Sequence, residues 1–153
     1  MVVWLGGHAH HYHDTAEFNM RQDVAAARVV FNSGAPLVQL PCNGVVSSFA
    51  ISEQELKHYF LDKNPLADYL AGNAIAEAEG YAKGKAWSRI IWDVTAVAWM
   101  LNDAERFMRT RIAQAMIPNY VNQYESADGD CPIAYVYHIK RDSLLNDLIR
   151  ALT

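Results

Sequence analysis

Cysteine is scarce in this sequence: Cys42 and Cys131 are the only two in 153 residues. Two are too few for a disulfide scaffold, and their spacing matches no zinc motif, so a reduced, cytoplasmic setting is the expectation. Basic charge is thin as well. Thirteen Lys and Arg stand against seventeen Asp and Glu, a formal net charge of -4, and the cations are scattered. Without a basic stripe, nucleic-acid binding through phosphate neutralisation has no support. Long hydrophobic runs are missing. Met1–Leu5 is apolar, but Gly6-Gly7 and a histidine cluster stop it. It is too short and lacks a basic start, so it is neither a signal peptide nor a membrane span. No internal repeat, low-complexity tract or linker divides the chain, and residues 1–153 read as a single domain. No G-x-G-x-x-G or Walker pattern follows Gly6-Gly7, so the pair does not mark a phosphate loop.

What is present suits a globular core: hydrophobic residues make up 52% and charged residues 20%. Val2–Leu5 reads as a short buried strand and Leu37–Leu40 as a second. Between them, residues His8 to Asn19 read as a long loop. Asp23 to Asn32 then places Val24, Ala27, Val30 and Phe31 on one helical face, with Gly34 as the stop. Strand, helix and strand at this spacing predict a parallel βαβ unit. The fold class is therefore α/β, a parallel or mixed sheet flanked by helices.

Further along, Ser52 to Tyr59 predicts a helix with a capping box from Ser52 and Glu55. Asn64-Pro65 opens a longer helix reaching about Lys83. Within Ile90 to Leu101, Asp93 is placed to cap a helix whose Val94, Val97, Ala98 and Leu101 share a face. Thr110–Met116 and Ile133–His138 are expected to pair as late strands. Pro118–Pro132 reads as a surface loop, and Arg141–Leu152 as an amphipathic closing helix.

The most conspicuous chemical signal is His8-Ala-His-His-Tyr-His-Asp14. Imidazole suits zinc, nickel or copper, and His8 and His10 are spaced to bind one metal from extended backbone. A metal-dependent hydrolase built on His8, His10, His11 and His13 is thus one reading. A His-x-His after a strand also matches the amidohydrolase metal motif, but that barrel takes ~250 residues. The plain alternative is a polar loop with histidines lining a cleft or facing solvent.

Four segments in order carry a more specific pattern: Trp4-Leu5-Gly6-Gly7, Glu17-Phe18-Asn19, Asp23-Val24-Ala25-Ala26 and Ile91-Trp92-Asp93-Val94-Thr95-Ala96-Val97-Ala98. Together they resemble the carboxyl-terminal half of the inosine–uridine preferring nucleoside hydrolases. The resemblance runs from Val2 to the final helix. It implies cleavage of the N-glycosidic bond of ribonucleosides, with a calcium ion holding the ribose hydroxyls and the attacking water. By resemblance, Asp93 matches the late calcium ligand, and Glu17 and Asn19 match side chains that hydrogen-bond ribose. Each residue also has an ordinary alternative: Asp93 as a helix cap, Glu17 and Asn19 as loop residues satisfying backbone groups.

The chain departs from the family pattern in three places. Trp92 stands where many members carry histidine; it does not donate a proton as histidine does, but it can stack on a base. His10-His11 stands where the family has a glycine–asparagine pair, so His11 is the substitute sugar contact, and His11 and His13 are the loop histidines left to protonate the base. Nothing matches the family's amino-terminal D-x-D-x-x-x-D-D cluster, which supplies most calcium ligands and the general base. The expectation is half of a nucleoside hydrolase-like fold, truncated at the amino terminus and inactive alone, with an exposed sheet edge that favours a homo-oligomer. A non-catalytic ribose- or nucleoside-binding or assembly module is the remaining reading.

Overall fold

Val2–Leu5 forms strand β1 and Leu37–Leu40 forms β2, and the two pair in parallel with Val2 opposite Leu37. This comes from a computed structural model, which describes residues 1–153. The crossover holds two helices, α1 (Phe18–Gln22) and α2 (Val24–Asn32). The expected loop therefore ends earlier than Asn19: Glu17 caps α1 with its own carboxylate, and Asn19 lies inside the helix. Asp23 then caps α2, accepting the Ala26 amide at 2.8 Å, while Ala27 and Phe31 are buried.

The remaining elements follow in order. β3 (Ala50–Ser52), α3 (Glu53–Tyr59), α4 (Pro65–Ala82) and β4 (Ser88–Ile90) lead to α5 (Val94–Met100). After them come β5 (Met108–Gln114), β6 (Met116–Pro118), β7 (Tyr124–Ser126), β8 (Pro132–Ile139) and α6 (Arg141–Leu152). The main sheet has the order β1-β2-β8-β5, with β5 antiparallel to β8 and the other pairs parallel. It is mixed, within the expected class. All four residues of β2 are buried, as a strand flanked by β1 and β8 requires.

Alternation along the strands sends side chains to two faces. Val3, Leu5, Val38, Leu40 and Val136 join the larger apolar cluster with α3, α4, α5 and α6. Trp4, Leu37, Ile133 and Tyr135 join the smaller one with Met20, Ala27 and Phe31. On α4, Ala67, Ala71, Ala78 and Ala82 are buried, and side chains this small allow close approach. Asn64 accepts the Leu66 and Ala67 amides at 3.0 Å and donates to the Leu152 carbonyl, tying α4 to the end of α6. The Ser52–Glu55 capping box forms, and Arg141 joins Glu55 at 2.6 Å.

Two expectations need correction. The buried residues of α5 are Thr95 and Ala98, whereas Val97 is 61% and Leu101 51% exposed. The helix has only seven residues, so one narrow stripe meets the sheet. Residues 118–132 are not simply a surface loop: β7 pairs with β6 as a hairpin, and Ala127 and Ile117 enter the smaller cluster.

β1 is an outer strand of its sheet. Val2 donates to Pro36 and Gly6 to Leu40, so the backbone groups of Val3 and Leu5 point away from β2. No helix is long and apolar enough to cross a membrane.

Candidate functional site

The site begins where β1 stops. Gly7 has φ +72°, and a Cβ there would lie 2.6 Å from the Tyr124 hydroxyl and 2.9 Å from Met20 Cε. Only glycine meets both demands without strain. The turn is then fastened to neighbouring elements. Cys42 donates its amide to the Gly7 carbonyl at 2.7 Å. The Gly7 amide donates to Glu17 Oε2 at 2.9 Å.

Glu17 also accepts the Met20 amide on Oε2 and the Asn19 amide on Oε1, both at 3.0 Å. Its side chain is thus held by three backbone donors, and the residue is buried. Asn19 donates through Nδ2 to the outward-facing Leu5 carbonyl at 3.0 Å, leaving Oδ1 free. Asp93, at the start of α5, makes no side-chain cap, and it is exposed. The ordinary explanation of Asp93 as a capping residue therefore does not describe its carboxylate.

These groups meet around one cavity of about 530 Å³, lined by Leu5, His8, Ala16, Glu17, Phe18, Asn19, Cys42, Asn43, Trp92 and Asp93. Its floor is the carboxyl ends of β1 and β2, the rim where parallel α/β sheets place ligands. A second, mostly apolar hollow of about 500 Å³ lies among α3, α4 and α6 and shares Trp92 and Asp93 with the first. Burial, together with the charge and hydrogen bonding of Glu17, pushes the Cys42 thiol well above its usual range, so it stays protonated.

Glu17, Asn19, Trp92 and Asp93 are brought together; His11 and His13 are not among the residues that line the cavity. His11 is exposed, stacks on Tyr12 at 4.7 Å, and packs over Gly44. His13 is exposed in the loop. His10 turns inward, with Nε2 3.2 Å from Gln39 Oε1 and its ring 4.3 Å from that of Tyr135. No three His, Cys, Asp or Glu side chains are grouped as metal ligands, so the four loop imidazoles do not converge into a centre. His8, Cys42 and Asn43 also line the cavity, although the sequence pattern does not mark them as sugar contacts. The signal that could find them is the pairing of β1 with β2, which puts residues following both strands on the same rim.

Calcium takes about six to eight oxygen ligands. Three backbone amides already occupy Glu17, and Asp93 belongs to no group of three or more side chains able to hold a metal ion. The residues of this chain do not by themselves fit a calcium centre.

Residues 1–139 match the family model described as inosine-uridine preferring nucleoside hydrolase. The chain belongs to that family. The nucleoside hydrolase fold is found again in a solved plant nucleoside hydrolase, the PpNRh1 enzyme, which superposes with a TM-score of 0.76 at 15% sequence identity. The match covers 96% of this chain and 52% of that one, so this nucleoside hydrolase-family chain spans about half the length of the solved enzyme. At that identity the likeness speaks for the fold alone. No curated protein sequence matches closely enough to count as a relative.

Proposed function

We propose that this chain carries the ribose-contacting part of a nucleoside hydrolase site and binds ribonucleosides without hydrolysing them alone. The observation that supports it is the shared cavity of Glu17, Asn19, Trp92 and Asp93 at the end of β1. In this reading Asn19 Oδ1 accepts from a ribose hydroxyl. Glu17 offers the remaining lone pairs of its buried carboxylate, and its capping bonds keep it in place. Hydroxyl groups suit such a pocket because ligands lacking them leave its polar atoms unpaired. Trp92, between the polar cavity and the apolar hollow, offers a stacking face for the base.

Asp93 is the one residue assigned here to calcium. A single carboxylate is far from a full coordination shell, so hydrolysis is not expected of the chain by itself. His11, exposed over Gly44, does not line this cavity and has no part in this reading.

Calorimetry with ribose and inosine, with and without calcium, tests the reading. Binding of both sugars, weak or no calcium uptake, and no free base released from inosine or uridine are expected. Failure to bind either sugar overturns the binding assignment, and steady release of base overturns the inactivity.

A further inference from the structure

One cavity imidazole has no part in the ribose contacts assigned so far. His8 lines the hollow beside Glu17, Asn19 and Asp93. Its backbone is held on both sides by a single phenol: Tyr124 Oη accepts the His8 amide at 2.8 Å and donates to the His8 carbonyl at 2.6 Å. Tyr124 lies 116 residues away in the chain, on β7, and its hydroxyl sits directly against the Gly7 turn. The next turn of the loop is fixed too. Tyr135 Oη accepts the His10 amide at 3.2 Å, and Gln39 bridges the His10 ring to the Gly6 carbonyl.

The ring is oriented as well as the backbone. The Asn43 amide donates to His8 Nδ1 at 3.4 Å. That bond keeps the lone pair on Nδ1, which puts the proton on Nε2 in the neutral ring. Among its neighbours, the carboxylates of Glu17 and Asp93 are acceptors, and Asn19 has given one of its two Nδ2 N–H groups to Leu5. A sugar hydroxyl both donates and accepts. Acceptors alone would satisfy its proton and leave its lone pairs without a partner. The His8 Nε2–H, fixed in direction by the backbone and ring bonds of His8, is a donor suited to those lone pairs.

We infer that His8 is a ligand-contacting residue whose Nε2–H donates to a sugar oxygen of the bound ribonucleoside, and that Tyr124 is its positioning residue. This rests on the ribose-site reading proposed for the same cavity.

The test uses the full 153-residue protein labelled with nitrogen-15 in histidine, with ribose and inosine as probes. In the unsubstituted protein the His8 Nε2 resonance is of the protonated type and shifts as either sugar is added. His8→Ala weakens both sugars by about tenfold, the size of one hydrogen bond. His8→Gln, which keeps an N–H at similar reach, recovers most of that loss. Tyr124→Phe weakens both sugars several-fold and displaces the His8 resonance. A merely structural His8 would lower thermal stability in His8→Ala and leave sugar affinity unchanged.

If the unsubstituted protein binds sugar and His8→Ala binds it equally, the assignment of His8 is wrong while the ribose site stands. The assignment fails in the same way if sugar binds and the Nε2 resonance stays still. If neither sugar binds the unsubstituted protein, the ribose-site reading falls and the His8 assignment falls with it.

Discussion

Glu17 and Gly7 are joined by a 2.9 Å hydrogen bond from the Gly7 amide to Glu17 Oε2, so the cap of α1 is also the clamp on the turn leaving β1. The same oxygen accepts the Met20 amide, and the other accepts Asn19. Replacing Glu17 with Ala removes the cap and strands a buried amide. A loss of about 2–4 kcal/mol is expected from those two effects together. Glu17→Gln keeps one acceptor oxygen and should lose less. Urea unfolding measures both, and an alanine variant as stable as the parent would refute the clamp.

Gly7 and Gly34 form a controlled pair. Both have positive φ, +72° and +71°, but a Cβ at Gly34 meets nothing within 4 Å. Gly34→Ala should therefore show the backbone cost alone, roughly 1–2 kcal/mol. Gly7→Ala adds contact with the Tyr124 hydroxyl and Met20, so it should be the worse of the two by at least about 1 kcal/mol. Equal destabilisation of the two variants would mean that the Gly7 turn has room to spare.

Burial holds the His10 imidazole below its ordinary value of 6.5; the Gln39 hydrogen bond opposes this and the Arg111 charge adds to it. The unfolded chain thus takes up a proton at higher pH than the folded one does. The stability linked to His10 is fully present above about pH 6.5 and is lost as pH falls through the lower folded value. His10→Gln should flatten that loss. Urea midpoints measured from about pH 7.5 down to about 5, a range that brackets the ordinary histidine value, would show it. Parallel profiles for parent and variant would contradict it.

β1 has no partner strand on its outer edge, where Asn19 caps only the Leu5 carbonyl, and α5 packs beside it with Val97 61% and Met100 67% exposed. An open strand next to apolar surface favours pairing with another copy. Sedimentation should show association rising with protein concentration. Val97→Lys with Met100→Lys should reduce it while changing monomer stability by only about 0.5 kcal/mol, as surface substitutions do. A monomer at all concentrations would dispose of the idea.

The placing of Glu17 and Asn19 shows how far the pattern was legible. Order along the chain marked them together with Trp92 and Asp93, and these four line one cavity. It was not enough to show that Glu17 would be held by three amides, because those donors arise from the helix start and the Gly7 turn together. The expected stripe of Val97 and Leu101 failed for a related reason. Helical period gives which residues share a face, not which face a seven-residue helix turns to the sheet.

What the sequence by itself determined was local: the Ser52–Glu55 and Asn64 caps and the Gly34 stop after α2. Each depends on neighbours a few residues apart, where side-chain chemistry and backbone geometry are already decided. Only the tertiary structure chose among the histidines, turning His10 inward, leaving His11 and His13 exposed, and setting His8 at the cavity. That choice depends on Tyr124 and Tyr135, more than a hundred residues along the chain, whose hydroxyls reach the loop once β7 and β8 are in place.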